Sequence, residues 1–359
     1  MTMPPSCSID AGAADRGLRI AIMTDETGWH TGRLKKAFRA RGADARCVDL
    51  ADCRIDTTWA PHGLVIPGFG HALPDAVFVR GIAGGTFEQV TLRLGILHAL
   101  RELGVPVYND ARAIERSVDK SMTSFLLHRH GVPTPAAWAG ESTAFAQRLL
   151  MREAAAGRAL VLKPLFGSQG HGLLRLGAAR PRVAASPAAA ARCASPTAET
   201  PADESEPLHA TTLPPLGAYR HVAYLQRYVE SGAPGFDWRV LVIGARAVAA
   251  MRRVGGNGWI HNFAQGARCE GAELAPALAQ TALRAARALD LDYAGVDLIA
   301  DAGDENRPLV LEVNGVAAWR GLQSVTPVDI AAALVDDLLE RKLAGARGAH
   351  VVELAPRHA

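Results

Sequence analysis

The sequence predicts an α/β protein, α+β in parts, assembled from three folded units. Short apolar runs alternate with helix-period stretches over the first third of the chain, which is the mark of a small parallel layer. A lysine-first glycine loop, VLKPLFGSQGHG at Val161 to Gly172, occupies the middle. Near the C-terminus, YAGVDLIADAGDENRPLVLEVNG reads as a β-hairpin with carboxylates on one face. At 359 residues the chain also exceeds the ~100–200 residues of one domain.

The first unit begins with LRIAIMT, Leu18 to Thr24, a strand that leads through a polar loop into a helical pattern from Thr31 to Arg41. CVDL at Cys47 to Leu50, DAVFVR at Asp75 to Arg80, a helix over Phe87 to Leu103 and VPVYND at Val105 to Asp110 continue the alternation. Residues 18–110 therefore form the N-terminal α/β domain. Ala111 to Arg129 reads as one helix ended by GVPTP, and it opens a central unit, 111–229, that carries the glycine loop. Within it, residues 179–215 are rich in alanine, proline, serine and acidic residues. That composition cannot bury enough apolar surface to offset the ordering entropy, so a flexible insertion is expected. Order resumes with HVAYLQRYVE at His221 to Glu230. The alternating FDWRVLVIG, Phe236 to Gly244, then starts a C-terminal mixed-sheet unit, 230–345. Residues 1–17 read as a disordered lead and 346–359 as a tail.

Composition excludes several classes. A net charge of +3 is too small to argue for nucleic acid, and no apolar run approaches the ~18 residues of a membrane span. The five cysteines form no C-x-x-C pair and are odd in number, against both a zinc site and a disulfide framework. A reducing cytoplasm fits them, and a homo-oligomer without nucleic-acid or membrane partners is the expected state.

The glycine loop is not a P-loop, whose lysine follows its glycines, and Gly167, Gly170 and Gly172 do not give the G-x-G-x-x-G of a dinucleotide site. Alone, such a loop is an ordinary turn. The hairpin supplies its counterpart. Centred between Asp304 and Glu305, it places Asp297 opposite Glu312, with Val296 and Leu298 opposite Val313 and Leu311 on an apolar face. Asn314 joins the carboxylate face. Opposed like charges in a sheet need a partner, and hard oxygen donors without histidine or thiolate suit Mg2+ held together with substrate phosphates. Lys163, ending a strand, is placed to reach those phosphates under a lid of glycine backbone amides. Asp237 and Arg252 fall opposite each other if the chain turns at Gly244 and Ala245, as a functional or a merely structural pair. Trp29 and Trp319 are candidates for stacking on a flat substrate, though aromatic residues are usually core.

These motifs, in this order, resemble the ATP-grasp ligases, and within them the RimK-like α-L-glutamate ligases. The carriers are SVDKSMTSFLL around Lys120, VLKP with GSQGHG, LQRYVESGAPGFDWR, WIHN at Trp259 to Asn262, AGVD ending at Asp297, and LEVNG at Glu312 to Gly315. The resemblance implies ATP as cosubstrate, with Lys120, Lys163 and the loop residues Gly167, Ser168, Gln169, Gly170 and Gly172 around its phosphates. It implies that Gln226, Arg227, Tyr228 and Val229 line adenine, with Asp237 nearby. Asp297, Glu312 and Asn314 would hold Mg2+, for which Mn2+ substitutes, and Arg252 and Asn262 would stand near the phosphates or the incoming amino acid. Two features depart from the pattern: Arg227 stands where many relatives carry an acid, and the insertion interrupts the lid. The GWHTGR loop and the stretch AAWRGLQSVTPVDIA look more like the ligases that add glutamate to a tetrahydromethanopterin precursor.

The activity this implies is ATP-dependent joining of a carboxylate to an amine through an acylphosphate, with glutamate as the amine and a small-molecule carboxylate, such as a pterin cofactor precursor, as acceptor. The alternatives are a ligase modifying a protein C-terminus and a non-catalytic ATP-binding regulatory protein.

Overall fold

The computed structural model describes residues 17–167, 170–177, 211–231, 235–255, 259–260, 266–301 and 304–346. Nearly all of the expected lead, tail and insertion, together with Ser168, Gln169 and Asn262, lies outside these residues. Among the described residues no helix is long and apolar enough to cross a membrane.

The N-terminal unit contains β1 (Arg19–Met23), α1 (Trp29–Arg39), β2 (Asp44–Val48), a small hairpin of β3 (Arg54–Ile55) and β4 (Leu64–Val65), β5 (Ala76–Val79), α2 (Phe87–Glu102) and β6 (Val107–Tyr108). Its main sheet has the order β2-β1-β5-β6 and every pairing in it is parallel. All of β5 is buried, as is β1 from Ile20 to Met23, which explains why these strands read as continuous apolar runs rather than alternating ones.

The expected single helix over 111–129 is two: α3 (Ala111–Val118) and α4 (Lys120–Arg129). Asp119 between them is extended, and its carboxylate accepts hydrogen bonds from the backbone N–H groups of Ser121 and Met122. It therefore ends one helix and caps the next, setting Lys120 at the first position of α4. The lid sheet follows, built from β7 (Ala137–Gly140), β8 (Leu160–Lys163), β9 (Leu174–Leu176) and β10 (Ala223–Arg227) in the order β7-β10-β8-β9, all antiparallel. Helix α5 (Thr143–Ala155) covers it through a separate small core of Leu149, Leu150, Leu160, Leu162, Leu176 and Leu225. Leu213 and Leu216 belong to the same core, and Gln147 clamps the chain by donating to Thr211 O and accepting from Leu213 N at 2.8 Å each. The last residues of the expected flexible insertion, 211–215, are thus part of the lid, because Leu213 is an apolar anchor that the segment's average composition conceals.

The C-terminal sheet has the order β13-β12-β11-β14-β15, from β11 (Phe236–Ile243), β12 (Arg246–Val254), β13 (Arg268–Ala272), β14 (Tyr293–Asp301) and β15 (Asp304–Asn314). Its described pairings are all antiparallel, where a mixed sheet was expected. Helix α6 (Pro276–Ala288) packs on the face bearing Val240, Val242, Ala294, Val296, Leu298 and Val313. Along β11 the opposite face changes character: Asp237 and Arg239 are followed by Leu241 and Ile243, which join the core of the N-terminal unit. That shared core also takes Tyr293, Trp319, Leu322 of the short α7 (Arg320–Gln323), and α8 (Ile330–Asp336) with its π-helical continuation Asp337–Leu343. Tyr108 stacks on Tyr293 at 5.4 Å, and buried Asn109 donates to the carbonyls of Tyr293 and Gly315 while accepting from the Asp292 and Tyr293 N–H groups. The first and third units are therefore one packed body.

Candidate active site

A cleft opens between the lid sheet and the polar end of the C-terminal sheet. Period-two alternation aims Asp237 and Arg239 of β11, Arg253 of β12 and Asp297 of β14 at the same face. From β15 the cleft receives Glu312 and Leu311 together. The predicted pairs Val296–Val313 and Asp297–Glu312 are present, but Leu298 lies opposite Val310, not Leu311. Leu311 is the extra residue of a β-bulge, and a bulge turns two consecutive side chains toward one side. The tip is also displaced, with Asp301 paired to Asp304.

The expected partnership of Asp237 with Arg252 is corrected in the same way. The turn at Gly244 is present, with Ile243 opposite Arg246, but the register shifts between Leu241 and Val242, where Val248 is the extra residue. Asp237 consequently faces Arg253, which donates to both its carboxylate oxygens at 2.7 Å. Arg252 is turned to the other face, over the Phe236 ring at 4.6 Å and hydrogen-bonded to Glu305, and it does not line the cleft.

Two opposed carboxylates were expected to need a cation, and for Asp297 the structure supplies guanidinium groups. Arg239 donates to both Asp297 oxygens at 2.7 Å and Arg253 approaches Oδ2 at 3.1 Å. Gly295, on the same strand as Asp297, makes room for Ala317: a Cβ there would lie 2.9 Å from Ala317 Cβ, while Arg239 Cδ, at 3.8 Å, would be in ordinary contact. Burial pushes the Asp297 carboxyl up, but Arg239 and Arg253 outweigh it and hold it below its ordinary range. Burial lifts Asp237 to about 6 even against Arg253. Sequence reasoning missed both arginines, although FDWR already put an acid and a base two apart on one strand.

On the lid side, Lys163 ends β8 inside the cleft and donates to Gln226 Oε1 at 2.6 Å. Burial pushes its ammonium pKa down to about 8, with Glu312 opposing the shift and Lys120 adding to it. Lys120 reaches in from the start of α4, donating to Gly167 O at 2.7 Å and standing 3.6 Å from Glu312. Gln226 is buried and its Nε2 has no hydrogen-bond partner among the described residues. Gly170 and Gly172 both have φ of +72°, in the region that favours glycine. Tyr228 and Val229 border the cleft as expected. Arg227 turns its guanidinium to the opposite face, where with Arg158 it neutralises the buried Glu153. Its departure from the acidic pattern is accounted for by that partner.

The donor set fits a magnesium ion bound with phosphates. Glu312 keeps its oxygens toward the cleft, and a carboxylate has about four lone-pair sites, so Asp297 retains one beyond its guanidinium contacts. Among the described residues no three Asp, Glu, His or Cys side chains converge, so the protein offers no closed cage and phosphate oxygens would have to complete the shell. Asn314 pairs with Gly295, donates to its carbonyl at 3.3 Å, and lies outside the cleft lining.

The RimK-like ATP-grasp domain matches residues 213–338 and the RimK PreATP-grasp domain residues 18–114. The chain is 29% identical over 322 residues to a tetrahydromethanopterin:alpha-L-glutamate ligase of Methanosarcina acetivorans, covering 84% of this chain and 92% of that protein. It is 32% identical over 324 residues to a probable alpha-L-glutamate ligase 2 of Hahella chejuensis, covering 88% and 93%. Among solved structures, the ATP-grasp ligase PsnB complexed with minimal precursor, Mg and ADP aligns with a TM-score of 0.60 at 21% identity, over 90% of this chain and 98% of that one.

Proposed function

The chain belongs to the RimK-like ATP-grasp family and is an ADP-forming carboxylate–amine ligase; we propose that its amine donor is L-glutamate and its acceptor a small-molecule carboxylate of the pterin-cofactor type. The observation that carries the nucleotide part is the convergence of Lys120, Lys163 and the Asp297–Glu312 pair in one cleft whose lid bears the positive-φ glycines. The donor and acceptor rest on the names of the relatives and on the two loop segments that resemble the pterin-modifying ligases.

Lys163 and Lys120 bind the phosphates of ATP, exchanging their present acceptors, Gln226 Oε1 and Gly167 O, for phosphate oxygens. Gln226 offers its buried Nε2, and with Tyr228 and Val229 it frames adenine. Glu312 and Asp297 would hold magnesium, or manganese in its place, and the ion would neutralise phosphate charge; Asn314, outside the cleft lining, would reach it only by giving up its bond to the Gly295 carbonyl. An acceptor carboxylate oxygen attacks the γ-phosphorus, ADP leaves, and the lysines stabilise the charge spread over the transferred oxygens. The amine of glutamate then adds to the acyl carbon and phosphate is expelled with formation of the amide. The glycine loop, closed over the site, keeps water from the acylphosphate.

The test is incubation with ATP, Mg2+, labelled glutamate and tetrahydromethanopterin, with ADP and product mass followed together. Glutamate-dependent ADP release and an acceptor heavier by one glutamyl residue are expected. ADP release that ignores glutamate refutes the donor assignment, and label found only on protein in a cell extract refutes the acceptor.

A further inference from the structure

A second crevice lies in the N-terminal unit and is lined by the loop and first helical turn from Thr24 to Thr31 together with Arg80 and Arg320. Its place in the fold is informative. Thr24 follows β1 and Arg80 follows β5, and β1 pairs with β2 on one side and β5 on the other. The strand order reverses there, and open parallel sheets bind ligands outside the carboxyl ends of their strands at such a point.

The crevice is equipped for an anion. Helix α1 begins after Gly28 with no side-chain cap on its first turn and no acidic residue in it, so the backbone N–H groups of Trp29, His30 and Thr31 lack helical acceptors. Arg80 contributes a buried Nε that has no hydrogen-bond partner among the described residues, a donor removed from water without compensation there. Arg320 is exposed and lies over the Trp29 ring at 5.9 Å. Burial, then Arg80 and Arg320, push the His30 imidazole down to about 4. The ring is therefore neutral near pH 7, and its Nε2 accepts the Trp319 backbone N–H at 3.2 Å. Trp319 is core, packed on Trp29 and His30, and so is not available to stack on a substrate. Asp25 and Glu26, both exposed, border the crevice and disfavour a second negative charge. Residues 315–320 connect the end of β15 to this crevice, joining it to the strand that bears Glu312.

We propose that the switch-point crevice is a carboxylate-recognition subsite, in which Arg80, Arg320 and the first-turn amides of α1 hold one substrate carboxylate that takes no part in amide formation. The assignment of that carboxylate to a ligase substrate rests on the function proposed above; the anion site itself does not. Its source is either the incoming glutamate or the acceptor.

The experiment titrates L-glutamate and, separately, tetrahydromethanopterin into the full chain saturated with Mg2+ and a non-hydrolysable ATP analogue, following tryptophan fluorescence from Trp29. Native protein, Arg320→Gln, Arg320→Lys and Arg80→Gln are compared, with melting temperature and analogue affinity as controls. The expected result is a rise of at least tenfold in the Kd of one probe in Arg320→Gln and Arg80→Gln, recovery to within about threefold of native in Arg320→Lys, and unchanged analogue affinity. A change confined to glutamate, absent with L-glutamine, assigns the carboxylate to the donor; a change confined to the pterin assigns it to the acceptor. If the native chain binds neither probe, or if Arg320→Gln folds normally and binds both within twofold of native, the subsite is overturned. Because binding is read without turnover, a chain that lacks glutamate-dependent ADP release would sink the proposed function while leaving this result decisive.

Discussion

Replacing Glu312 by glutamine removes one charge from the cleft at almost constant volume, and the structure sets what should follow. Glu312 lies 3.6 Å from Lys120 with about a third of its side chain exposed. At an effective dielectric of ~20 such a pair attracts by about 5 kcal/mol, but partial exposure and the freed lysine's hydration reduce the net effect on folding to about 1 kcal/mol. The functional loss should be larger. Glu312 is the carboxylate least committed to protein cations, since Asp297 already holds two guanidinium groups. Turnover should fall by at least ~10²-fold, the scale of one lost electrostatic stabiliser. Calorimetry of ADP binding with and without Mg2+ separates a metal ligand from a mere structural charge. The measurement belongs at pH 6.5, below the Lys163 pKa of about 8, because Glu312 helps to hold that pKa up. In Glu312→Gln, ADP without metal should bind no more weakly than in the native chain, while the tightening produced by Mg2+ should largely disappear. An unchanged Mg2+ effect, or near-native turnover, would refute the placement of the ion.

Three further outcomes are expected. Lys163 titrates near 8 in the free protein and must be charged to meet phosphate, so ADP affinity should decline as pH rises through about 8, with up to one proton taken up per ADP; Lys163→Met should abolish that proton uptake in calorimetry run in buffers of different ionisation enthalpy. Removing residues 182–209 through a glycine-serine bridge should leave the melting temperature nearly unchanged, as their composition leads one to expect, whereas Leu213→Ala in the lid core should cost about 2–3 kcal/mol in urea unfolding of the full chain; equal effects would contradict the role of Leu213 as an anchor. Gly170→Val is strained at φ +72°, so amide yield per ADP should fall while ADP affinity changes only modestly, and a constant ratio of the two products would show that the loop does not protect the acylphosphate.

The carboxylate pair was legible in the sequence because strand alternation is a property of the backbone: once a hairpin is recognised, residues equally far from its centre must face each other. What escaped were the bulges. Val248 and Leu311 are unremarkable apolar residues, and nothing local marks them as extra, yet one of them exchanges Arg252 for Arg253 and the other brings Leu311 beside Glu312. The break at Asp119 carries a local signal, an acid immediately before Lys120 in a helical run, which is the ordinary mark of a cap. Helix α6 was equally readable in PALAQTALRAARA, with proline at its first position and alanine every few residues. The shared core of the first and third units could not be read from pattern, because an apolar face does not name the element that covers it.

That shared core has a mechanical result. Asn109 ties the carbonyls of Tyr293 and Gly315 together, and those residues flank the strands that carry Asp297 and Glu312. The floor of the cleft and the mouth of the switch-point crevice are thereby machined into one casting, while the lid keeps its own small core. That casting fixes the distance between cleft and crevice, so a substrate that bridged the two would be selected by its length before any bond was made.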